Sequence, residues 1–304
     1  MGIIKKEKKE NVTIFTVQKD YNDEKMETKM NTFINPSDIK MIIDYDADVY
    51  TEEGKILLRF RKNVIKKENI DIFYDNIIQF AKNLSSLRGK TSGSKIDNSF
   101  SEKRVMSNIF GYFDRWSPAH KIIFKKRGKT PSIMVRQCKF NMDYPEKYKK
   151  TIPLIKDIDI LYEKLTPEQY KLQRRKANQT YFKIPGTSFT TVTTNINFQT
   201  SVHKDTGDDE EGFGNLAVIE RGEYTGGETC FPQYGIGVNV RSGDILFMDV
   251  HQPHANLPMH KKDKESIRLS IVCYLRKNVW LRSKNKTRRF YESQNRTVRN
   301  LRKK

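Results

Sequence analysis

The sequence predicts an α+β fold whose core is mainly β, a sandwich or barrel with supporting helices. Three observations predict it. Helical periodicity is concentrated in the first two thirds of the chain, in segments 70–84 and 145–165 and again after Thr166-Pro167. Beyond Gly186 the texture changes to short β-type runs divided by Gly-containing turns, continuing to Arg276. Helices precede strands without alternating with them, which argues against a βαβ parallel sheet.

Each element follows from its own pattern. The first 39 residues are rich in Lys and Glu and weakly patterned, so a loose N-terminal segment is expected. Met41-Ile42-Ile43 and Lys55–Phe60 read as two strands joined by a turn-rich connection ending at Gly54. Ile70, Phe73, Ile77, Ile78, Phe80 and Ala81 fit one face of a helix. Residues 85–104 carry Gly, Ser and Lys and read as a loop. The next helix spans Pro145 to Leu165, with Ile152, Ile155, Ile158, Leu161, Tyr162 and Leu165 on one side. Thr166 as N-cap and Pro167 at the first helical position start another. These divisions give one domain over 40–280, with its β core at about 184–276, and a basic tail over 281–304.

Composition narrows the function classes. The chain has 304 residues, 36% of them hydrophobic and 11% aromatic, which supports a sizeable core and argues against disorder. No stretch approaches the ~20 apolar residues of a bilayer span, so no membrane partner is expected. The opening Met1-Gly2-Ile3-Ile4-Lys5-Lys6 turns charged at once, unlike a signal peptide, and lacks the Ser or Thr at position 6 of a myristoylation site. Cys138, Cys230 and Cys273 are odd in number and far apart. They read as reduced thiols of a cytoplasmic or nuclear-type compartment.

The net charge of +20 and pI near 9.7 call for a polyanionic partner. AT-biased coding also yields Lys-, Asn- and Ile-rich chains, so the distribution of charge decides. From Arg276 to Lys304 there are 12 Lys or Arg against one acid, Glu292, with Trp280, Phe290 and Tyr291 interleaved. Nucleic-acid contact is expected of this tail.

The most informative stretch runs from Thr194 to Asp205. On a strand, alternate residues share a face, which groups Asn195, Asn197, Gln199, Ser201, His203 and Asp205 opposite Ile196, Phe198 and Val202. An inward polar row suits a ligand-lined cavity. His203 and Asp205 can give a metal two facial ligands. A third can come from His251 or His254, which follow the apolar run Ile245–Met248. Two histidines and one carboxylate leave three positions open, as a non-haem Fe(II) site needs for a co-substrate and dioxygen. Arg268 begins the apolar run to Tyr274 and can pair with a carboxylate of 2-oxoglutarate, with Ser270 on the same face. The acidic run Asp208-Asp209-Glu210-Glu211 reads as a solvated loop.

Several motifs carry a family resemblance: Arg88-Gly-Lys-Thr-Ser-Gly93, Gly111-Tyr-Phe-Asp-Arg115, Ile184–Thr191, His203-Lys-Asp-Thr-Gly-Asp208, Glu211-Gly-Phe-Gly214, Gly222–Pro232, Ser242–Leu246, the His251/His254 segment and Arg268–Tyr274. With them the chain, over roughly residues 40–276, resembles the TET/JBP dioxygenases, the ten-eleven-translocation methylcytosine oxidases and base-J-binding-protein thymidine hydroxylases. It is most similar to their compact viral, phage and bacterial relatives. The resemblance implies a double-stranded β-helix (jelly roll) with Fe(II) at its mouth and 2-oxoglutarate as co-substrate. It favours His254 as third ligand, with Ala255 where the family usually has Gly. It implies 2-oxoglutarate binding by Arg268 and Ser270, in a cavity to which Asn195 and Asn197 add polar atoms. It places Tyr274 near a target base. The expected reaction is dioxygen-dependent hydroxylation of the 5-methyl group of thymine or 5-methylcytosine in DNA. The base must then leave its stack, and Tyr112, Phe113 and Arg115 are candidate contacts to it or to phosphate. The same barrel serves protein and metabolite hydroxylases, or a non-catalytic nucleic-acid binder, and these are the alternatives.

Overall fold

The structure, a computed structural model, describes residues 2–85, 88–94, 104–115, 125–126, 128 and 135–302. The expected loop over 85–104 lies partly outside them. Sixteen strands and seven α-helices are described. The strands are β1 (Ile3–Lys9), β2 (Val12–Val17), β3 (Met41–Ile43), β4 (Ala47–Thr51), β5 (Ile56–Arg61), β6 (Ser107–Phe113), β7 (Arg136–Gln137), β8 (Thr191–Ile196), β9 (Gly214–Arg221), β10 (Tyr224–Gly226), β11 (Thr229–Phe231), β12 (Ile236–Val238), β13 (Ile245–Met248), β14 (Ala255–Asn256), β15 (Met259–Lys261) and β16 (Ile267–Tyr274). The helices are α1 (Asp23–Lys29), α2 (Lys67–Ala81), α3 (Lys139–Asp143), α4 (Pro145–Leu165), α5 (Pro167–Ala177), α6 (Lys277–Ser283) and α7 (Arg288–Arg302).

Ten strands form one sheet in the order β1-β2-β4-β5-β13-β9-β16-β8-β6-β7, and a smaller sheet runs β14-β11-β12-β3. The period-2 pattern of the large sheet sorts its side chains into two layers. Ile245 and Phe247 of β13, Ala217 and Ile219 of β9, and Leu269, Ile271 and Cys273 of β16 pack against α2 and α4. Leu246, Met248, Leu216 and Val218 point the other way, onto Phe231, Ile236 and Val238 of the small sheet. Tyr162 of α4 stacks on Phe247 at 5.2 Å between ring centroids, joining the helical layer to the sheet. Helices on one face and a second sheet on the other leave the space between the sheets for the site. The three cysteines are free and buried. No described helix is long and apolar enough to cross a membrane.

Several expectations need correction. The first 39 residues are not loose. Val12–Val17 alternates half-buried and buried positions, and β2 pairs in parallel with β4. The residues between the expected strands at 41–43 and 55–60 include a third, β4, which pairs with β5, while β3 belongs to the small sheet, parallel to β12. The surrounding lysines obscured the alternation of Thr13, Phe15 and Val17. Nor do residues 281–302 of the basic tail stand apart from the domain. The boundary at 281 falls inside α6, and Phe290 and Tyr291 pack on the cluster of Tyr112, Val135, Phe182 and Val279.

Phe15 is fully buried, and emptying that volume is expected to cost about 3–5 kcal/mol. Chemical denaturation of Phe15→Ala should show a loss of that size, whereas a peripheral N-terminus would leave the midpoint unmoved.

Candidate active site

The HxD motif lies beyond the end of a strand, not within one. β8 stops at Ile196, and Asn197 takes the left-handed region at φ 49°, so the expected continuous polar row is broken there. Asn197 holds backbone instead: its amide donates to the Ser266 carbonyl, and its side-chain oxygen accepts from the Arg268 N–H at 2.7 Å. It therefore fixes the start of the strand that carries Arg268.

His203 and His254 meet through paired backbone hydrogen bonds, His203 N–H to His254 C=O at 3.0 Å and His254 N–H to His203 C=O at 2.9 Å. The Asp205 N–H donates to the Val250 carbonyl at 3.0 Å. One ligand atom from each of His203, Asp205 and His254 lies within 4.8 Å of the others. His203 Nδ1 lies 2.8 Å from the Ser201 carbonyl, and His254 Nδ1 lies 2.9 Å from the Gln252 carbonyl. A carbonyl only accepts, so both Nδ1 atoms carry hydrogen and both Nε2 lone pairs face Asp205. Such outer hydrogen bonds set the tautomer that a metal requires. Burial, then the neighbouring His254, pushes the His203 pKa down to about 4, which keeps it neutral and able to ligate. His251 spends both ring nitrogens elsewhere, against the backbone carbonyls of Asp205 at 3.1 Å and Asp209 at 3.3 Å. It braces the ligand loop.

Arg268 is 5% exposed, with no carboxylate in ion-pairing range among the described residues and its Nη2 buried without a hydrogen-bond partner. Burial lowers its pKa from the usual arginine value. A buried, unpaired guanidinium is costly, and an anionic ligand removes that cost. Gly227 helps to shape the cradle: at φ 78° it is left-handed, and an added Cβ would lie 3.0 Å from Arg268 Cδ. Beside it runs a directional chain. Arg88 Nε, which can only donate, reaches Ser107 Oγ at 2.5 Å; Ser107 donates to Asn195 Oδ1 at 2.5 Å; Asn195 Nδ2 donates to Ser270 Oγ at 3.2 Å. The Ser270 hydrogen is left free to donate to a ligand. The donor set, the orphaned cation and this hydroxyl fit Fe(II) with a dicarboxylate co-substrate.

Of the aromatic candidates, Tyr112 does not face this site. It is 4% exposed, its hydroxyl lies 2.9 Å from that of Tyr291, and its ring packs edge-on against Phe182. Tyr112 and Phe113 belong to different clusters, and Phe113 carries the Arg276 guanidinium 4.1 Å from its ring centre. Asp114 pairs with Arg276, not with Arg115. Arg115 is exposed, 5.8 Å from the Phe113 ring. Tyr274 is 8% exposed, its pKa raised to about 12 chiefly by burial, with Asp208, Arg276 and Arg88 as charged neighbours.

Sequence reasoning missed three of those neighbours. Asp208 is half-buried, and burial together with Asp205 raises its pKa well above the usual carboxylate range. Asp209 is 4% exposed and accepts from Lys176 at 2.5 Å. The acidic run is therefore only half a solvated loop. Arg276 continues the alternation of Arg268, Ser270 and Tyr274, a signal present in the sequence. Arg88 stood in a quoted motif but had no role.

Sheet layering, a His-Asp-His cluster able to hold a metal ion and a buried Arg on β16 are the arrangement that a metal-dependent oxygenase needs. Residues 122–277 match the Tet_JBP family, described as the oxygenase domain of the 2OGFeDO superfamily, and the chain belongs to that family. The superfamily implies Fe(II) and 2-oxoglutarate. The thymine dioxygenase JBP1 of Trypanosoma brucei brucei is 30% identical over 203 residues, 66% of this chain and 22% of that protein. The bifunctional helicase and thymine dioxygenase JBP2 of Leishmania infantum is 38% identical over 124 residues, 41% of this chain and 11% of that protein. The chain thus spans about a fifth or less of these relatives. A solved structure of NgTET1 in complex with 5mC DNA superposes with a TM-score of 0.53 at 14% identity, covering 86% of this chain and 82% of that one, a likeness of fold.

His203→Ala, Asp205→Ala and His254→Ala are each expected to abolish iron retention and turnover, measured by metal analysis and succinate release. His251→Ala should retain iron and measurable turnover. The reverse pattern would transfer the third ligand to His251.

Proposed function

We propose that the chain is an Fe(II)- and 2-oxoglutarate-dependent dioxygenase that hydroxylates the 5-methyl group of thymine or 5-methylcytosine in DNA. The observation that carries this reading is the buried, unpaired Arg268 guanidinium in a fold that also gathers His203, Asp205 and His254, in a chain whose relatives are thymine dioxygenases. Bound Fe(II) with 2-oxoglutarate and dioxygen supplies the C–H oxidation, releasing succinate and carbon dioxide as one oxygen atom enters the methyl group.

The protein's part is binding and orientation. His203, Asp205 and His254 would hold the metal. Arg268 pairs with a co-substrate carboxylate and the oriented Ser270 hydroxyl donates to it; Asn195 holds Ser270, and Asn197 holds the Arg268 backbone. A 5-methyl group is reached only when the nucleotide leaves the stack. Tyr274 and Phe113 are the aromatic groups suited to meet the base, with Asp208 and Arg276 as polar partners and Arg115 free for phosphate.

Losing one partner of a buried, charge-assisted pair costs roughly 2–5 kcal/mol. Arg268→Ala should therefore raise the 2-oxoglutarate requirement by more than an order of magnitude, and Ser270→Ala by less, in assays of succinate release. An unchanged requirement in Arg268→Ala removes it from the co-substrate site. Mass spectrometry of nucleosides from DNA incubated with enzyme, Fe(II) and 2-oxoglutarate tests the substrate, with expected gain of 5-hydroxymethyl pyrimidine. Hydroxylated peptide or free metabolite, with DNA untouched, would overturn the assignment.

A further inference from the structure

α7 leaves a strongly basic face that the oxygenase chemistry does not use. Its inner side is committed to the protein: Val298 is fully buried, and Phe290 and Tyr291 pack beneath it. Its outer side exposes Arg288, Arg289, Arg296 and Arg299, and the one acid, Glu292, is paired with Arg288 at 3.0 Å. Between α7 and β7 lies a cleft of about 350 Å³ lined by Gln137, Tyr291, Arg296 and Arg299 and by Glu292, whose carboxylate pairs with Arg288.

Residue choice points to the occupant. The whole chain holds 38 Lys and 19 Arg, yet α7 contains five Arg and no Lys. Solubility is served by either residue, whereas the planar guanidinium fork matches phosphate oxygens two at a time. A membrane surface requires a free apolar face, and the apolar side of α7 is already buried. Arg289 to Arg299 spans about 15 Å of helix, or about four base steps along one strand. The helix also packs on a strand that reaches toward the site: Tyr291 touches Tyr112 of β6, and the next residue of that strand, Phe113, supports Arg276.

We propose that the arginine face of α7, with the cleft beside β7, docks the phosphate backbone of duplex DNA and holds it next to the oxygenase site without reading sequence. This rests on the DNA reading above. Phosphate contacts fix position and register but specify no base.

The test uses the full-length, iron-loaded protein and a labelled DNA duplex. Arg296→Gln/Arg299→Gln should weaken binding at least tenfold and reduce the log–log salt slope by about 1.8, at about 0.9 per lost contact. Arg289→Gln/Arg296→Gln, a second exposed pair, should act similarly. Melting temperature and DNA-independent succinate release should match the unsubstituted protein. Arg296→Lys/Arg299→Lys should restore most of the slope. If the unsubstituted protein oxidises duplex DNA while both Gln pairs keep its affinity and slope, this surface is not the anchor and the DNA reading stands. If the unsubstituted protein neither binds nor oxidises DNA, both fall. Tighter binding to single-stranded RNA, lost in the same variants, would overturn the duplex assignment.

Discussion

Two backbone hydrogen bonds between His203 and His254 set the site. Their residues lie far apart in sequence, and neither stands in a long strand. Without that two-residue bridge the imidazoles have no common reference. Asp205 is tied to the same reference through Val250, and His251 braces the loop between Asp205 and Asp209. The three candidate ligand positions therefore rest on main-chain contacts. The segment behind the bridge is held in turn: Val202 exchanges backbone hydrogen bonds with residues 31 and 32, and Ser201 donates its N–H to the Thr91 carbonyl and its hydroxyl to the Lys90 carbonyl. That is why residues near the N-terminus belong to the site's foundation.

The second constraint is the directionality of the chain from Arg88 to Ser270. An arginine cannot accept, so the hydrogens that link Ser107 to Asn195 and Asn195 to Ser270 are assigned, and the Ser270 hydroxyl keeps its own hydrogen to donate. Together with an Arg268 that lacks an internal partner, this leaves two donors, the Arg268 guanidinium and the Ser270 hydroxyl, open to an acceptor. The other end of β16 serves different ends. Arg276 is neutralised by Asp114, and α6 follows directly, so Lys277 can pair with Glu210 and donate its N–H to the Gly207 carbonyl. The ligand loop and the C-terminal helices thus share a boundary.

Much of this was legible in the sequence. The α4 bounds, Pro145 and Leu165, follow from its apolar spacing and its proline start, and the short strands after Gly186 follow from their turns. His203 and Asp205 were readable as a pair from their spacing, while the choice of His254 over His251, which matches the geometric cluster, came from the family resemblance and not from the residues themselves. What stayed hidden depended on tertiary context. Alternation predicted a strand through Asn197, but its side chain hydrogen-bonds the backbone of Ser266 and Arg268, about 70 residues away, and asparagine tolerates a left-handed turn. Tyr112 looked like a stacking platform, yet α7 covers it, and nothing local announces a partner 179 residues away. Asp208 and Asp209 looked solvated because burial of a carboxylate depends on Arg276 and Lys176, both remote in sequence.

The central claim, one site that binds Fe(II) and then a dicarboxylate through Arg268, is tested most directly without turnover. Under anaerobic conditions the metal-free protein is titrated with Fe(II) and then 2-oxoglutarate, following the visible charge-transfer absorption of the chelated complex. The expected result is a band that saturates at one 2-oxoglutarate per chain, needs far more 2-oxoglutarate in Arg268→Ala, and is absent in Asp205→Ala. A protein that binds Fe(II) yet gives no such band, or gives the same titration in Arg268→Ala, would contradict the account.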